Sequence, residues 1–524
     1  MSRLGDALAA RKDFVVTCEF VPGRGPSGKS VDAVVAFGKK VVEGKLPVHA
    51  VSITDNPGGN PAIAPEALGA ELQAMGVDAL IHFACTDSNR NLIEARAYGL
   101  ARGGINNLLV VTGDYTVSGY KGMSKPVFDL DAVQVVKYLA EMNAGLKTPG
   151  RKKGTFDTLP NTEFCIGAVV SPFKKLEAEM MTQFYKFEKK ARAGAHFFVP
   201  QLGYDMRKFA EIVKYMKHRN IDVPILGNVY VVNPMVAGLM NKGLIPGCVV
   251  TDELRDALVA EGKAEDKGKG ARIERAAQMM AIFKGIEFNG VHIGGFGLKA
   301  SDFQHIIERA NEIGDNWRDH VKNFQYGQKG EFYLFPPDPE LTNEEKTLVP
   351  VALKDTGGAS PMYLINRIFH ALIFEPGGLF YGLCKIAYRI CDKVKILDKL
   401  AYFFERQIKR VLFDCQECGD CALFDVAYLC PMSKCAKGQR NGPCGGSRHG
   451  MCEADETKTC VWVMAYRRLH SVGRLDQMRT EYVPPVDWKL QKTSSWGNFF
   501  MGRDHTAKKM KAEAKKKAKE AKEA

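Results

Sequence analysis

No uncharged apolar run in this chain approaches the roughly 20 residues that a membrane span needs. The start, Met1-Ser2-Arg3, leads into charged residues without an apolar signal core. Secretion and membrane insertion are therefore not expected, and the reading is a cytoplasmic protein. The first strand-like segment is not followed by G-x-G-x-x-G, which weighs against a dinucleotide-binding doubly wound sheet. Nor is the chain extreme in composition: 45% of its 524 residues are apolar and 25% charged, values ordinary for a globular protein of two or three domains. The net charge of +13 is partly local, because the segment 507–524 holds eight Lys and three Glu. It has no apolar stripe and reads as a frayed, solvated helix. No recognition motif accompanies it, so nucleic acid is not an expected partner.

Cysteine, by contrast, is abundant and uneven. Eight of the fourteen fall between Cys415 and Cys460, which suits thiolate ligands better than a disulfide scaffold in so long a chain. Cys415, Cys418, Cys421 and Cys430 read C-x-x-C-x-x-C, eight residues, then Cys-Pro. That is the spacing of loops that wrap a 4Fe–4S cluster. Cys435, Cys444, Cys452 and Cys460 follow at wider gaps. Eight thiolates suffice for two tetrathiolate centres, with the ligand sets left open. Zinc competes for the same spacings. His449 reads as a surface residue of a Gly-rich loop rather than as a ligand.

The first three hundred residues carry eight short apolar runs separated by amphipathic stretches. They are DFVVTCEFV from Asp13, HAVSITD from His49, DALIHFACT from Asp78, NLLVVTGD from Asn107, FCIGAVV from Phe164, HFFVPQL from His196, PILGNVYVV from Pro224 and GVHIGGFG from Gly290. Near-continuous Val, Ile and Phe mark strands buried on both faces. Eight such runs alternating with helices predict a (β/α)8 TIM barrel, the alternative being an open sheet. Chemistry in a barrel gathers where the strands end. Those ends place Glu19, Thr54, His82, Thr112, Gly113, Asp114, Gln201, Asn233 and His292 on one rim. Buried in an apolar strand end, Glu19 is expected to have a raised pKa and to serve as a general acid; the bland alternative is a rim carboxylate paired with a base.

The strings TCEFVPGR, SITDNPGGN, HFACTD, VVTGD and AGAHFFVPQ occur in order. Together they resemble the methylenetetrahydrofolate reductase family over roughly residues 10–310. The strings CGDC, CPMSKC, NGPCGG, GMCE and CVWVMAY resemble the cysteine-rich domain that accompanies such reductases in some anaerobic bacteria. The resemblance implies a flavin barrel, with FMN or FAD, that reduces 5,10-methylenetetrahydrofolate to 5-methyltetrahydrofolate. Carried over residue by residue, it makes Glu19 the general acid and places Asp114 beside flavin and pterin. It gives Gln201 and Asn233 to the tetrahydrofolate substrate. Thr54, His82, Thr112, Gly113, Lys190 and Ala193 go to the flavin. Thr112 stands where the family carries Arg, and Val169 where its flavin pocket carries Tyr. An aliphatic stretch at Leu239 and Met240 replaces an aromatic residue, which weakens the case for direct reduction by NAD(P)H.

The expected domains are a reductase barrel over 1–315, a helical linker over 316–410, a cysteine domain over 411–500 and a mobile tail over 501–524. In the linker, Leu364, Ile368 and Leu372 repeat at helical spacing, and the helices read as packing the cysteine domain against the barrel; a membrane-surface helix is the rival reading, disfavoured because the stripe is interrupted and flanked by acids as well as bases. Cys384 and Cys391 read as core thiols. Electrons are expected from an iron–sulfur partner or ferredoxin, within a larger redox complex or homo-oligomer. Two other readings stand beside this one: an NAD(P)H-dependent reductase with a structural zinc scaffold, and a folate- or flavin-binding regulator.

Overall fold

The computed structural model describes residues 2–44, 46–152, 154–355 and 360–523. They form two compact units. The first comprises Met1–Lys354 together with Pro443–Glu453, the second Asp355–Gly442 together with Ala454–Ala524. The division therefore falls later than residue 315, and an eleven-residue piece of the cysteine region belongs to the first unit.

Eight parallel strands build the first unit: β1 Val15–Phe20, β2 Ala50–Ile53, β3 Ala79–Ala84, β4 Asn107–Val111, β5 Cys165–Val170, β6 Phe197–Pro200, β7 Leu226–Val231 and β8 Gly290–Gly295. Their order is β6-β5-β4-β3-β2-β1-β8-β7. A parallel bridge between Phe198 and Ile225, with Phe198 N donating to Pro224 O at 2.9 Å, joins the two outer strands and closes the barrel. All eight apolar runs are strands, and no open edge of the sheet needs another partner. Helix α1 (Arg3–Ala10) caps the end where the strands begin. Its Leu4 and Leu8 pack with Val15, Ala50, Leu80, Leu109, Phe197 and Leu226. Burial of each such side chain stabilises the fold by about 1.5–3 kcal/mol.

Helix α2 (Glu177–Ala193) is unusual for an outer barrel helix, because six of its seven charged residues, Glu177, Glu179, Lys186, Glu188, Lys189 and Lys190, are buried. Later chain covers it. Glu177 accepts from Lys354 N at 2.7 Å, and Lys186 Nζ donates to Pro443 O at 3.0 Å. On the following helix, α3 (Met206–His218), Glu211 accepts from Phe335 N at 2.8 Å. Residues 316–354 thus cover the barrel rather than form a helical linker.

The second unit holds α4 (Pro361–Ile373), α5 (Tyr381–Lys393) and α6 (Lys395–Phe413). Phe374, Tyr381, Cys384 and Tyr388 pack on Phe499, Phe500 and Ala507, so Cys384 does sit against a core. The chain from His505 to Glu523 is helical, and its start is anchored. The buried His505 hydrogen-bonds Asp420 at 2.6 Å and Asp425 at 3.1 Å.

Candidate active site

The strand ends gather a carboxylate and two imidazoles on one rim of the barrel. Glu19 Oε2 lies 3.2 Å from His292 Nε2 and 3.5 Å from His82 Nε2. These three offer ligand atoms all within 4.8 Å of one another. Parallel register explains the meeting. Glu19 on β1 stands opposite Ser52 on β2, whose Oγ is 3.0 Å from His82 Nε2, and Thr17 stands opposite His292 on β8. The residues are far apart in sequence and adjacent only because β1 and β8 pair.

Both ring nitrogens of His292 are held: Nδ1 lies 2.7 Å from Thr17 Oγ1, itself 3.3 Å from Val291 O, and Nε2 lies 3.2 Å from Glu19 Oε2. Burial pushes the Glu19 pKa up, but the hydrogen bond and charge of His292, with the charge of His82, bring it below the usual carboxylate value. This corrects the expectation of a raised pKa: an apolar strand end alone would raise it, and two facing imidazoles reverse the sign. Burial, partly opposed by Glu19, holds His82 down to about 4.

The loops after β2 and β4 lace together and set Asp114. Asp114 Oδ2 accepts from Gly58 N at 2.8 Å, Val117 N donates to Gly59 O at 3.0 Å, and Ser118 Oγ donates to Asn60 Oδ1 at 2.8 Å. Thr86 Oγ1 reaches Thr112 O at 3.1 Å and Asp114 O at 3.3 Å. Gly113 has φ +83°, and a Cβ there would lie 1.9 Å from Thr86 Oγ1, so only glycine fits the turn. Thr54 Oγ1 is buried with no hydrogen-bond partner among the described residues. Such an orphan hydroxyl on an enzyme rim suits a polar ligand, which is how a flavin would fit here.

Lys190 Nζ donates to Val169 O at 2.6 Å, and burial with Lys186 alongside brings its pKa down to about 7. Ala193 ends the same helix. Gln201 Oε1 is taken by Leu202 N at 2.9 Å, while its Nε2 lies 3.2 Å from where a Cβ on Gly247 would sit. Asn233 Oδ1 caps the helix Pro234–Asn241 through Val236 N at 2.9 Å, so that oxygen serves the fold. Burial, then the charge of Glu19, pushes Tyr230 up to about 12, and burial, then the charge of Asp114, does the same for Cys248. No motif marks either residue; the only sequence sign of Tyr230 is its place near the end of the seventh run.

The cysteines separate. Cys415, Cys418, Cys421 and Cys430 line one cavity of the second unit with Lys409 and Arg440. Buried Lys409 donates to Cys421 Sγ at 3.4 Å. Four thiols in one cavity with a cation beside them could hold an anionic iron–sulfur cube or a tetrathiolate zinc. Cys435 and Cys460 also lie in the second unit, while Cys444 and Cys452 belong to the first. There Lys174 Nζ clamps their loop by donating to Ser447 O at 2.6 Å and to Gly445 O. Gly445 O lies 3.2 Å from the Cβ position of Gly247, which also neighbours Gln201. His449 is exposed.

A closed parallel barrel with an acid, two imidazoles and glycine turns on its strand-end rim defines a class of barrel enzymes. Residues 3–310 match the methylenetetrahydrofolate reductase family, to which the chain belongs. Residues 394–489 match the family described as methylene-tetrahydrofolate reductase C terminal. A curated relative, methylenetetrahydrofolate reductase 1 of Schizosaccharomyces pombe, is 24% identical over 242 residues, covering 46% of this chain and 37% of the relative. The chain thus spans little more than a third of that protein. Among solved structures, a protein from Clostridium thermocellum described as binding two copies of 5-methyl-5,6,7,8-tetrahydrofolic acid matches with a TM-score of 0.42. It is 15% identical, covering 60% of this chain and 99% of that one. Tryptophan synthase from M. tuberculosis matches at 0.32 and 13%, covering 62% and 100%. At these scores neither carries an argument about function.

Proposed function

We propose that the chain reduces 5,10-methylenetetrahydrofolate to 5-methyltetrahydrofolate on a bound flavin, with electrons delivered through the cysteine-rich region. The observation that carries the reading is the 3.2 Å contact between Glu19 Oε2 and His292 Nε2 on the rim of this family's barrel. Opening the substrate's five-membered ring needs a proton at a ring nitrogen, and Glu19 can donate it while His292 stays beside the vacated carboxylate. Thr17 Oγ1, 2.7 Å from Nδ1, orients the ring of His292. Asp114, fixed by Gly58 N, supplies a carboxylate that stabilises the cationic iminium so formed. Thr54, His82 and Lys190 would hold the flavin, which when bound supplies hydride. Gln201 would hydrogen-bond the pterin. Electrons would come from an iron–sulfur donor protein or ferredoxin by way of Cys415, Cys418, Cys421 and Cys430.

Glu19→Gln tests the acid. It keeps the shape of the side chain, so flavin binding and photoreduction should be unchanged while folate turnover falls about a hundredfold or more. Turnover equal to that of the parent protein would remove Glu19 from this role. Iron, sulfide and flavin measured together on anaerobically purified protein test the electron route, and zinc without iron would replace it by the scaffold reading.

A further inference from the structure

Three successive helices of the second unit reverse the usual placement of apolar side chains. Of the thirty-six exposed large apolar residues among those described, twenty lie between Met362 and Leu412, on or beside α4, α5 and α6. Ile396 is 71% exposed, Leu383 66% and Phe404 63%. The residues that α6 buries are instead Glu405 and Lys409. Glu405 accepts from Ser494 Oγ at 2.6 Å and Ser495 Oγ at 2.7 Å, so the polar edge of the helix faces the protein. Over 361–413 there are nine Lys or Arg against four Asp or Glu. An apolar face flanked by cations suits an anionic lipid surface. No described helix is long and apolar enough to cross a membrane, so such a face would lie on a bilayer rather than pass through it.

The same unit contains a cavity of about 100 Å³ lined by Phe369, His370, Phe374, Phe424, Tyr428 and Trp496, among others. That is room for one six-membered ring. The cavity shares Lys409, Phe413, Cys421, Leu423 and Ser495 with the four-cysteine cavity. His370 stacks on Phe424 with ring centroids 4.4 Å apart and planes at 10°. Two polar atoms of the lining, His370 Nδ1 and the Tyr428 hydroxyl, are buried without a hydrogen-bond partner. The nearest carboxylate oxygen to His370 Nδ1, on Glu375, is 3.7 Å away, beyond hydrogen-bond reach. Each orphan carries a desolvation cost that a ligand with matching polar atoms removes. The ligand so described is a flat apolar ring bearing two oxygens, soluble in lipid and able to exchange electrons with the cysteine side.

We propose that this cavity binds the ring of a quinone or quinol, reached from a lipid surface on which the apolar face of α4, α5 and α6 rests. The proposal builds on the reading that Cys415, Cys418, Cys421 and Cys430 hold an iron–sulfur cluster. Oxidation of a quinol here breaks two O–H bonds and leaves two carbonyls. Two protons pass to water, the first by way of neutral His370. Two electrons leave singly past Cys421, and the proposed folate reduction consumes them. The reverse of the same step returns electrons to a quinone.

The test uses the full chain, purified without oxygen, with vesicles of phosphatidylglycerol and phosphatidylcholine and with duroquinone, a single-ring quinone, as the probe. The protein should float with the vesicles, and the double variant Ile368→Glu, Phe404→Glu should lose about tenfold or more of that partition at unchanged iron content. Duroquinone should bind saturably, with affinity reduced about tenfold in His370→Ala and in Tyr428→Phe, the latter removing one oxygen from an unchanged ring. Reoxidation of the dithionite-reduced chromophore by duroquinone should slow in the same variants. Non-saturable binding, or equal binding by parent and both variants, overturns the site. Failure to float, with a dimer in light scattering, assigns the apolar face to a second copy and overturns the lipid route. Iron and sulfide absent from protein that still binds duroquinone would sink the cluster reading, whereas iron and sulfide present without saturable binding would sink the quinone site.

Discussion

The two units spend their apolar residues in opposite directions. In the barrel, Leu80, Leu109 and Leu226 are buried near the strand beginnings, and Glu19, His82 and His292 stand together towards the strand ends. On α4, α5 and α6 the leucines and isoleucines face outward while an ion pair, Glu405 with Lys409 at 3.4 Å, lies inside. The same residue types therefore serve two ends. In the first unit they hold the catalytic rim in register. In the second they form a surface, and the interior polar groups organise serines and a cysteine.

That contrast predicts a graded series of effects. Leu80→Ala should cost about 2–5 kcal/mol in denaturant unfolding, because a fully buried side chain leaves a cavity between α1 and the barrel. A loss below about 1 kcal/mol would mean that the strand beginnings are not tightly packed. Acid should weaken the fold by a smaller amount through the buried histidines. His82 and His370 are each held down to about 4, mainly by burial. An unfolded histidine titrates near 6.5, so between these values the unfolded chain binds more protons. Stability should accordingly fall as pH drops from about 6.5 towards 4, and Glu19, whose pKa is lowered, adds loss in the same direction below the usual carboxylate range. Thermal unfolding at stepped pH, repeated with His82→Gln, should show a shallower decline in the variant; a Tm flat across the window would contradict the burial of these rings. The smallest effect belongs to Leu383→Gln on the exposed face, within about 0.5 kcal/mol of the parent protein. A large loss there would show that the apolar face is covered in solution.

Reading the chain residue by residue recovered the eight strands because burial on both faces leaves an unbroken apolar run. It found the two-residue cysteine gaps because they are local, and the structure lines one cavity with Cys415, Cys418, Cys421 and Cys430. It placed Glu19, His82 and Asp114 on one rim because strand ends share a side of the barrel. It misjudged the sign of the Glu19 pKa shift, since the facing imidazole of His292 is 273 residues away. For α4, α5 and α6 it left packing and a surface role as rivals, because helical periodicity reports an apolar stripe and not the direction in which the stripe points.

Local order thus determined the elements of this protein: apolar runs, glycine turns and two-residue cysteine gaps each act over a few neighbouring residues. Only the tertiary structure decided how distant pieces combine. Closure of the barrel set Glu19 against His292, Lys174 drew the Cys444 loop into the first unit, and inward serines turned the helical face of the second unit outward. Those outcomes depend on which surfaces exclude water together, a property of the folded chain that no short window of sequence contains.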